Sequence, residues 1–237
     1  MRRRLSVVSL SLLAVLPSLA LAYQAEPPRE ALQVLRVDRY ADDANAGSLR
    51  WAITTANAAP GRYRIEIDAV GAAPYVIKPA APLPEIKGPV QIIGTPWARD
   101  GQYVAIDGSA YVTGTGTDAC PGAEPGQSGT NVRTTTLPGL VLRDTQGVEL
   151  AGLEIRNFCI GVLVNRSSHN EIHDNRIVAN KGGAGIMLTG DDGKGQSTAT
   201  TTVHNRIVRN EFLDNGDGLE LTRGAAWNLV ADNLFQS

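Results

Sequence analysis

The chain is poor in several residue types that recognition and metal-binding proteins depend on. Its 237 residues include two cysteines, two methionines and three phenylalanines, and aromatic residues make up 5%. These numbers exclude a disulfide-stapled miniprotein and a methionine-rich surface, and no histidine–cysteine cluster has zinc-ligand spacing. Lys+Arg 22 against Asp+Glu 24 leaves no basic excess, so nucleic acid is not an expected partner. The hydrophobic fraction of 43% excludes a disordered chain.

The first residues combine a basic segment with an apolar one. Three arginines at positions 2–4 precede the apolar run Leu5–Leu21, and Ala20-Leu21-Ala22 is a small-x-small cleavage signature. This pattern predicts a secretory signal peptide over residues 1–22 and a flexible mature N-terminus over 23–35. A membrane anchor is the alternative, but the run is short and contains Pro17, so we expect no transmembrane segment in the mature chain. We expect the protein to be secreted, and therefore extracellular, periplasmic or associated with the outer membrane.

Export makes the two cysteines informative. In an oxidising compartment, Cys120 and Cys159 are candidates for a disulfide bond. The alternative, which stays open, is a buried Cys159 and an exposed, unpaired Cys120. We prefer the disulfide.

A repeat runs through the second half of the chain, where short units that start with glycine alternate with longer units. The first units begin at Gly139, Gly161, Gly185 and Gly218, and the second units begin at Val148, Asn170, Asn205 and Asn228. One insertion of about ten residues near Asp191–Thr202 explains the uneven spacings, and without it the repeat is 22 to 24 residues long. This regularity predicts a solenoid with the glycines at its corners.

The repeat units have the composition of β-strands. Short runs rich in Val, Ile and Leu are bounded by Gly, Asn and Asp. If each repeat is one coil, Asn175, Asn210 and Asn233 stack, can hydrogen-bond along the axis, and tolerate the left-handed bends that a coil needs at its corners. Leucine-rich repeats have similar lengths, but the paired short strands favour a parallel β-helix.

The first half of the chain is less regular. Ser48 is an N-cap candidate for a short amphipathic helix at about residues 48–58, which would cover the open N-terminal end of the solenoid. Irregular first coils follow over 62–112, then a loop over 113–137 rich in Gly, Thr and Pro, then the regular 22–24-residue coils over 139–237.

The segment from Asn45 to Ile53, with Ala56-Asn57, resembles the "CSLREA"-like element that opens many exported bacterial β-helix repeat proteins of the pectin lyase-like superfamily. Trp51 stands where that family usually has Glu. The resemblance covers roughly residues 36–237 and implies an all-β fold, a right-handed parallel β-helix with a short N-terminal capping α-helix. It implies no particular chemistry. Because the last repeat stops mid-coil at Ser237, we expect a C-terminally truncated chain that can self-associate edge to edge.

Aligning the coils gathers chemically capable side chains along one edge of the solenoid. The ligand-binding candidates there are Arg166, His169, His204, Arg223 and Trp227, with Lys194 from the insertion and with Asp191 and Asp192 as weak metal-ligand candidates. This mixture suits a polysaccharide or a cell-surface glycan, because aromatic faces stack on sugar rings and arginines bind uronate carboxylates. The alternative is that these are solvated turn residues.

Another repeat position alternates in charge along one face. Glu154, Arg176 and Glu211 occupy it, and we interpret them as an exposed salt-bridge ladder rather than a catalytic pair.

These observations favour a non-catalytic exported scaffold, adhesin or glycan-binding module that needs no cofactor. The alternative is a polysaccharide lyase or hydrolase of the pectate-lyase-like type acting on an acidic polysaccharide, with calcium if it is a lyase. No catalytic residue is assigned, and an enzyme is the less favoured of the two hypotheses.

Overall fold

The computed structural model describes residues 31–112, 120, 137–180, 182–190 and 199–237. The predicted signal peptide over 1–22 lies outside the described residues, as do most of the predicted loop over 113–137 and most of the insertion. Within the described residues, no helix is long and apolar enough to cross a bilayer.

The described residues form short strands with two short helices between the first ones. In chain order the elements are β1 (Leu32–Val37), α1 (Leu49–Ala58), β2 (Arg62–Ile67), β3 (Val76–Ile77), β4 (Val90–Gly94), α2 (Thr95–Asp100), β5 (Val104–Asp107), a 3-10 turn (Gly108–Ala110), β6 (Pro138–Arg143), β7 (Val148–Ala151), β8 (Leu153–Arg156), β9 (Ile160–Asn165), β10 (Glu171–His173), β11 (Arg176–Val178), β12 (Ala184–Thr189), β13 (Thr202–Val203), β14 (Arg206–Val208), β15 (Glu211–Leu213), β16 (Asp217–Thr222), β17 (Ala225–Ala226), β18 (Leu229–Ala231) and β19 (Leu234–Gln236).

Most of the strands assemble into three parallel sheets that wrap around one core, and β13 and β17 form a separate two-stranded parallel sheet. Sheet A has the order β1-β2-β4-β7-β10-β14-β18, sheet B the order β19-β15-β11-β8-β5-β3, and sheet C the order β16-β12-β9-β6. From β7 onward, each coil gives one strand to sheet A, then one to sheet B, then one to sheet C, until the last coil. The chain is therefore a parallel β-helix, and its right-handedness stays a prediction.

The repeat stacks equivalent apolar side chains inside this helix. In sheet A the stack is Ile92, Leu150, Ile172 and Ile207, and in sheet B it is Ile106, Ile155, Ile177 and Phe212. Both stacks are almost completely buried. Each such side chain contributes about 1.5–3 kcal/mol through burial, so the core is built by repetition of one contact.

Asparagines at the corners link successive coils, as predicted. Asn175 Oδ1 accepts a hydrogen bond from the backbone N–H of Leu153 at 3.0 Å, and its Nδ2 donates to Asn210 Oδ1 at 3.1 Å. Asn175 and Asn210 do not themselves take the left-handed bends. The residue before each does so: Asp174 has φ 53° and Arg209 has φ 55°. This arrangement turns the Asn side chain inward, where it satisfies backbone groups that water cannot reach.

The prediction that the repeat glycines form the corners is wrong. They lie inside strands of sheet C, and Gly139 stacks on Gly161 while Gly185 stacks on Gly218. A Cβ at Gly161 would meet the carbonyl oxygen of Gly185 at 2.5 Å, so glycine is required by the close approach of neighbouring coils.

Helix α1 lies where the sequence predicts a helix. The Ser48 hydroxyl caps it by accepting from the N–H of Trp51 at 3.1 Å. Leu49, Ala52, Ile53 and Ala56 are buried in the same core cluster as the strands. That this helix acts as a cap over the end of the solenoid stays a prediction.

The solenoid starts earlier than the predicted boundary at residue 36. Strand β1 begins at Leu32 and pairs along its whole length with β2, so residues 32–35 are not part of a flexible N-terminus. Helix α2 was not predicted either. It begins at Thr95, contains Pro96 in its first turn and ends at Asp100. Gly101 caps it with a φ of 75°, which glycine readily adopts.

Candidate functional site

The predicted edge is the corner between sheets C and A, and part of it assembles as the alignment suggests. The rings of His169 and His204 lie 5.2 Å apart, and those of His204 and Trp227 are stacked at 5.9 Å. Trp227 is 73% exposed at the end of this stack. The corner therefore presents an aromatic ladder, and ligand binding to it stays a prediction.

The charged candidates at this corner have different surroundings. Arg166 makes a two-pronged ion pair with Asp144, with both N–O distances 2.7 Å. This pairing, chiefly its hydrogen bonds, lowers the pKa of the Asp144 carboxyl. The backbone oxygen of Arg223 accepts from Gly190 N–H at 2.7 Å. Lys194, Asp191 and Asp192 lie outside the described residues.

Cys120 and Cys159 form a disulfide in the structure, with their Cα atoms 5.3 Å apart. Both residues are almost completely buried. The bond joins residue 120 to the turn between sheets B and C, across 39 positions of sequence.

A cavity of about 460 Å³ lies on the outer face of sheet B. We call it the sheet B groove, and the residues that matter for its chemistry are Tyr75, Tyr103, Glu154, Arg156, Arg176 and Glu211. The small side chain of Ala105, with Val76 beside it, forms the floor of the groove. Strand register places both residues in the same outward-facing row as Glu154 and Arg176. The segment between α2 and β5 contributes Tyr103, and the segment before β3 contributes Tyr75.

One side of the groove is an alternating ladder of charges. Arg176 Nη1 donates to Glu154 Oε2 at 2.8 Å, and Arg176 Nε donates to Glu211 Oε2 at 3.2 Å. Arg156 Nη1 donates to the second oxygen of Glu154 at 2.6 Å. The Glu154 carboxylate thus holds two guanidinium groups side by side, and it is only 12% exposed. The predicted ladder exists, and it also lines a cavity, which the sequence did not indicate.

Arg156 is fixed from below by a buried carboxylate. Its Nε donates to Asp107 Oδ2 at 3.0 Å, and Asn157 Nδ2 donates to the other oxygen at 2.9 Å. Burial by itself raises the pKa of Asp107, but the hydrogen bonds from Asn157, Ser109 and Arg156 outweigh it and lower that pKa below its usual value. Asp107 is therefore ionised at neutral pH and holds the guanidinium in place.

Tyr103 faces the charge ladder from the opposite side. The Arg176 guanidinium carbon lies 5.8 Å from the centre of the Tyr103 ring. Burial raises the pKa of the Tyr103 phenol and the charge of Glu211 raises it further, while Arg176 and a hydrogen bond with Trp97 oppose this change. The phenol thus keeps its proton at neutral pH.

The groove therefore combines cations, a half-exposed carboxylate and a neutral phenol around one cavity. Guanidinium groups bind carboxylates, a carboxylate can accept a proton, and a phenol can donate to a carbonyl oxygen. The sequence did not single out Tyr75, Tyr103 or Arg156. The tyrosines lie in irregular coils that have no repeat to align, whereas Arg156 is two residues from Glu154 and could have been found from its place on the same strand face.

A second polar cluster lies on the outer face of sheet A and its corner with sheet B. His173 Nδ1 lies 2.6 Å from Asp174 Oδ2, and His173 Nε2 lies 3.2 Å from Glu149 Oε1. Arg209 Nη2 donates to Asp174 at 2.7 Å. These contacts connect three successive coils.

Two comparisons with known proteins bear on the function. Residues 128–231 match the model of the NosD family, described as a periplasmic copper-binding protein. A protein of Acinetobacter baylyi (strain ATCC 33305 / BD413 / ADP1), named 3-dehydroshikimate dehydratase, is 62% identical over 208 residues. That region is 87% of this chain and 43% of the relative, so the chain spans less than half of the relative's length.

The NosD match agrees with a β-helix repeat protein and with a location outside the cytoplasm. The resemblance of residues 45–57 to a "CSLREA"-like element stays a prediction. Among the described residues, no group of three or more His, Cys, Asp and Glu side chains is placed to hold a metal ion. Both cysteines are in the disulfide, so neither offers a thiolate.

The expectation of a non-catalytic scaffold, adhesin or glycan-binding module is wrong. The relative that shares 62% of its aligned residues with this chain bears the name of an enzyme, a dehydratase. The alternative of a polysaccharide lyase or hydrolase does not agree with that name either. Both expectations relied on the corner residues and on the fold, neither of which specifies a substrate.

Proposed function

We propose that the chain is part of a dehydratase acting on a small hydroxylated ring ketone that carries a carboxylate, with 3-dehydroshikimate as the first substrate to test. The observation that carries this proposal is the 62% identity over 208 residues with a protein named for that activity. Because the chain spans 43% of that relative, the activity of the whole relative is carried over to this chain only as part of the proposal.

Loss of water from a β-hydroxy ketone requires three tasks. A base removes the proton from the carbon beside the ketone, and a hydrogen-bond donor stabilises the charge that develops on the ketone oxygen. The hydroxyl group on the next carbon then leaves and takes up a proton to become water. One C–H and one C–O bond are lost and one C=C bond forms, so the reaction needs no oxidant or reductant.

The sheet B groove contains groups suited to the first two tasks and to binding the substrate carboxylate, and the proton taken up by the base would be returned to the leaving hydroxyl. Glu211 is the half-exposed carboxylate, with 45% of its side chain accessible, and we assign it the role of base. Tyr103 is a neutral phenol and would donate to the ketone oxygen. Arg156 and Arg176, held side by side by Glu154, would bind the substrate carboxylate. The volume of about 460 Å³ accommodates a single six-membered ring with its substituents.

The test is turnover and binding measured on the same preparations. Purified chain is incubated with 3-dehydroshikimate, formation of the dehydrated product is followed by absorbance, and binding is followed by ligand-observed NMR. The Acinetobacter baylyi relative serves as the positive control for the assay. We expect Glu211→Gln and Tyr103→Phe each to lower kcat at least about a hundredfold, the scale of losing a general base or an oxyanion donor.

A matched control separates the groove from the corner between sheets C and A. Trp227→Ala and His204→Ala remove exposed rings at the corner between sheets C and A, which is not part of the sheet B groove. We expect turnover to be unchanged in both variants. If the chain neither binds nor dehydrates the compound, or if Glu211→Gln and Tyr103→Phe leave turnover intact, the assignment of the reaction to this groove is wrong.

We also propose that the chain is exported through a signal peptide over residues 1–22 and that its coil is right-handed. The basic and apolar pattern at the start supports export, and the match to a family described as periplasmic supports the location. Right-handedness follows the general rule for parallel crossover connections. N-terminal sequencing of exported protein tests the first part, with Tyr23 as the expected first residue.

A further inference from the structure

We propose that the carboxylate of the ligand binds to Arg176 by displacing Glu211, so that binding of the anion releases the base. This inference concerns how the sheet B groove selects its ligand, and the nature of that ligand rests on the function proposed above. It begins from the unequal way in which Arg176 is held by its two carboxylates.

The contact with Glu154 is the firm one. Its N–O distance is 2.8 Å, its carboxylate is only 12% exposed, and Arg156 donates to its other oxygen at 2.6 Å. A carboxylate that is shielded from water and bonded to two guanidinium groups is difficult to displace, because each lost charge-assisted hydrogen bond would leave a shielded charge unpaired.

The contact with Glu211 is the weak one. Its N–O distance is 3.2 Å, and the side chains of Arg176 and Glu211 are 35% and 45% exposed. Ion pairs with this exposure contribute little, since water solvates both partners nearly as well when they separate. An incoming carboxylate can therefore replace Glu211 without disturbing the rest of the ladder.

The position of this weak contact gives it a consequence for specificity. Arg176 lines the cavity and lies against the Tyr103 ring, so an anion bound to its Nε side is placed beside the phenol. A displaced Glu211 carboxylate still lines the same cavity, but it no longer shares its charge with Arg176 and is available to accept a proton. A neutral ring ketone cannot bring about this exchange. The exchange would therefore restrict the reaction to carboxylate-bearing ligands.

The chain offers a matched control pair on another face. Arg206 and Glu171 lie on neighbouring coils of sheet A at 3.3 Å, with side chains 51% and 40% exposed. This pair has an N–O distance within 0.1 Å of that of the Arg176–Glu211 pair, but it does not line the groove. Glu171→Gln therefore measures what loss of such an ion pair does in the absence of any competition with a ligand.

The experiment measures binding of benzoate, a carboxylate that cannot be dehydrated, with benzamide as its uncharged counterpart. Dissociation constants are determined by NMR titration for the full chain and its variants. We expect Glu211→Gln to bind benzoate about two- to fivefold more tightly than the unsubstituted chain, on the scale of removing one exposed ion pair. Benzamide binding should not change, and Glu171→Gln should leave both constants unchanged.

Substitution of the arginine provides the converse test. Arg176→Gln should weaken benzoate binding at least about tenfold, with circular dichroism confirming the fold. Arg176→Lys, which keeps the charge but loses the planar fork, should weaken it less. If Glu211→Gln binds benzoate equally well or more weakly, the displacement is wrong even if the chain is a dehydratase. If Glu211→Gln tightens benzoate binding and no dehydration is found, the displacement stands and the proposed function fails.

Discussion

Asp174 shows how a single corner residue stabilises neighbouring coils. It accepts hydrogen bonds from Arg209, and its Oδ2 lies 2.6 Å from His173 Nδ1. Burial raises the pKa of the Asp174 carboxyl, but the hydrogen bonds from Arg209 and His173 have the larger combined effect, so its pKa lies below the usual value. A carboxyl with a lowered pKa stabilises the fold above its unfolded-state pKa, and that contribution disappears as the pH falls through the folded-state pKa.

We therefore expect Asp174→Asn to lower the free energy of unfolding by about 1 kcal/mol at neutral pH, the value of hydrogen bonds to a charged group reduced by the solvent screening of this partly exposed corner. The difference from the unsubstituted chain should stay constant above about pH 5, shrink as the pH falls below the unfolded-state pKa of about 4, and vanish below the lowered folded-state pKa of Asp174. Urea denaturation at a series of pH values measures it. Asp214→Asn is the matched control, since Asp214 is an exposed corner aspartate with φ 51° against 53° for Asp174. If the free energies of unfolding of the unsubstituted chain and of Asp174→Asn keep a constant difference down to about pH 2, this account is contradicted.

At the scale of the element, helix α1 depends on one apolar face. Ile53 is 1% exposed and lies in the core cluster with residues of β1 and β2. We expect Ile53→Asp to lower stability by about 3–5 kcal/mol, because it removes a buried aliphatic side chain and places a carboxylate in an apolar contact. Thermal denaturation followed by circular dichroism measures the change. Thr54→Asp, on the exposed side of the same helix, should shift the melting temperature little, and an equal shift for both variants would show that the helix is not packed as described.

The regular strands could be predicted from the sequence because each coil repeats the same pattern. Ile172 and Ile207 stack where the alignment of second units places them, and Ser48 caps the predicted helix. Helix α2 and the position of Tyr103 could not be predicted in this way. They belong to a coil without a repeat, and the groove exists only because that coil projects over the strands of later coils. Sequence alignment of coils identifies which residues are neighbours along the axis, but not which segment overhangs them.

At the scale of the whole molecule, the disulfide is the covalent link across the coil stack among the described residues. It closes a loop over a sequence separation of 39 residues, and the chain-entropy model assigns such a loop about 4 kcal/mol. We expect reduction of the Cys120–Cys159 bond to lower the free energy of unfolding by up to this amount. Guanidinium denaturation with and without reductant measures it, and the double variant Cys120→Ser/Cys159→Ser should be insensitive to the reductant. Coincident curves for the oxidised and reduced chain would mean that the bond adds nothing to stability.

The in-register stacking of coils has a consequence for how such a groove can change over evolutionary time. Each coil of sheet B contributes one outward side chain to the row that includes Glu154, Arg176 and Glu211. Neighbouring members of this row are separated by the inter-strand distance of about 4.8 Å. Duplicating or losing one coil would therefore move a charge in this row by one whole inter-strand spacing. A point substitution would change the side chain at a single position of the row. The groove can thus come to bind new substrates while the apolar core of the β-helix stays unchanged.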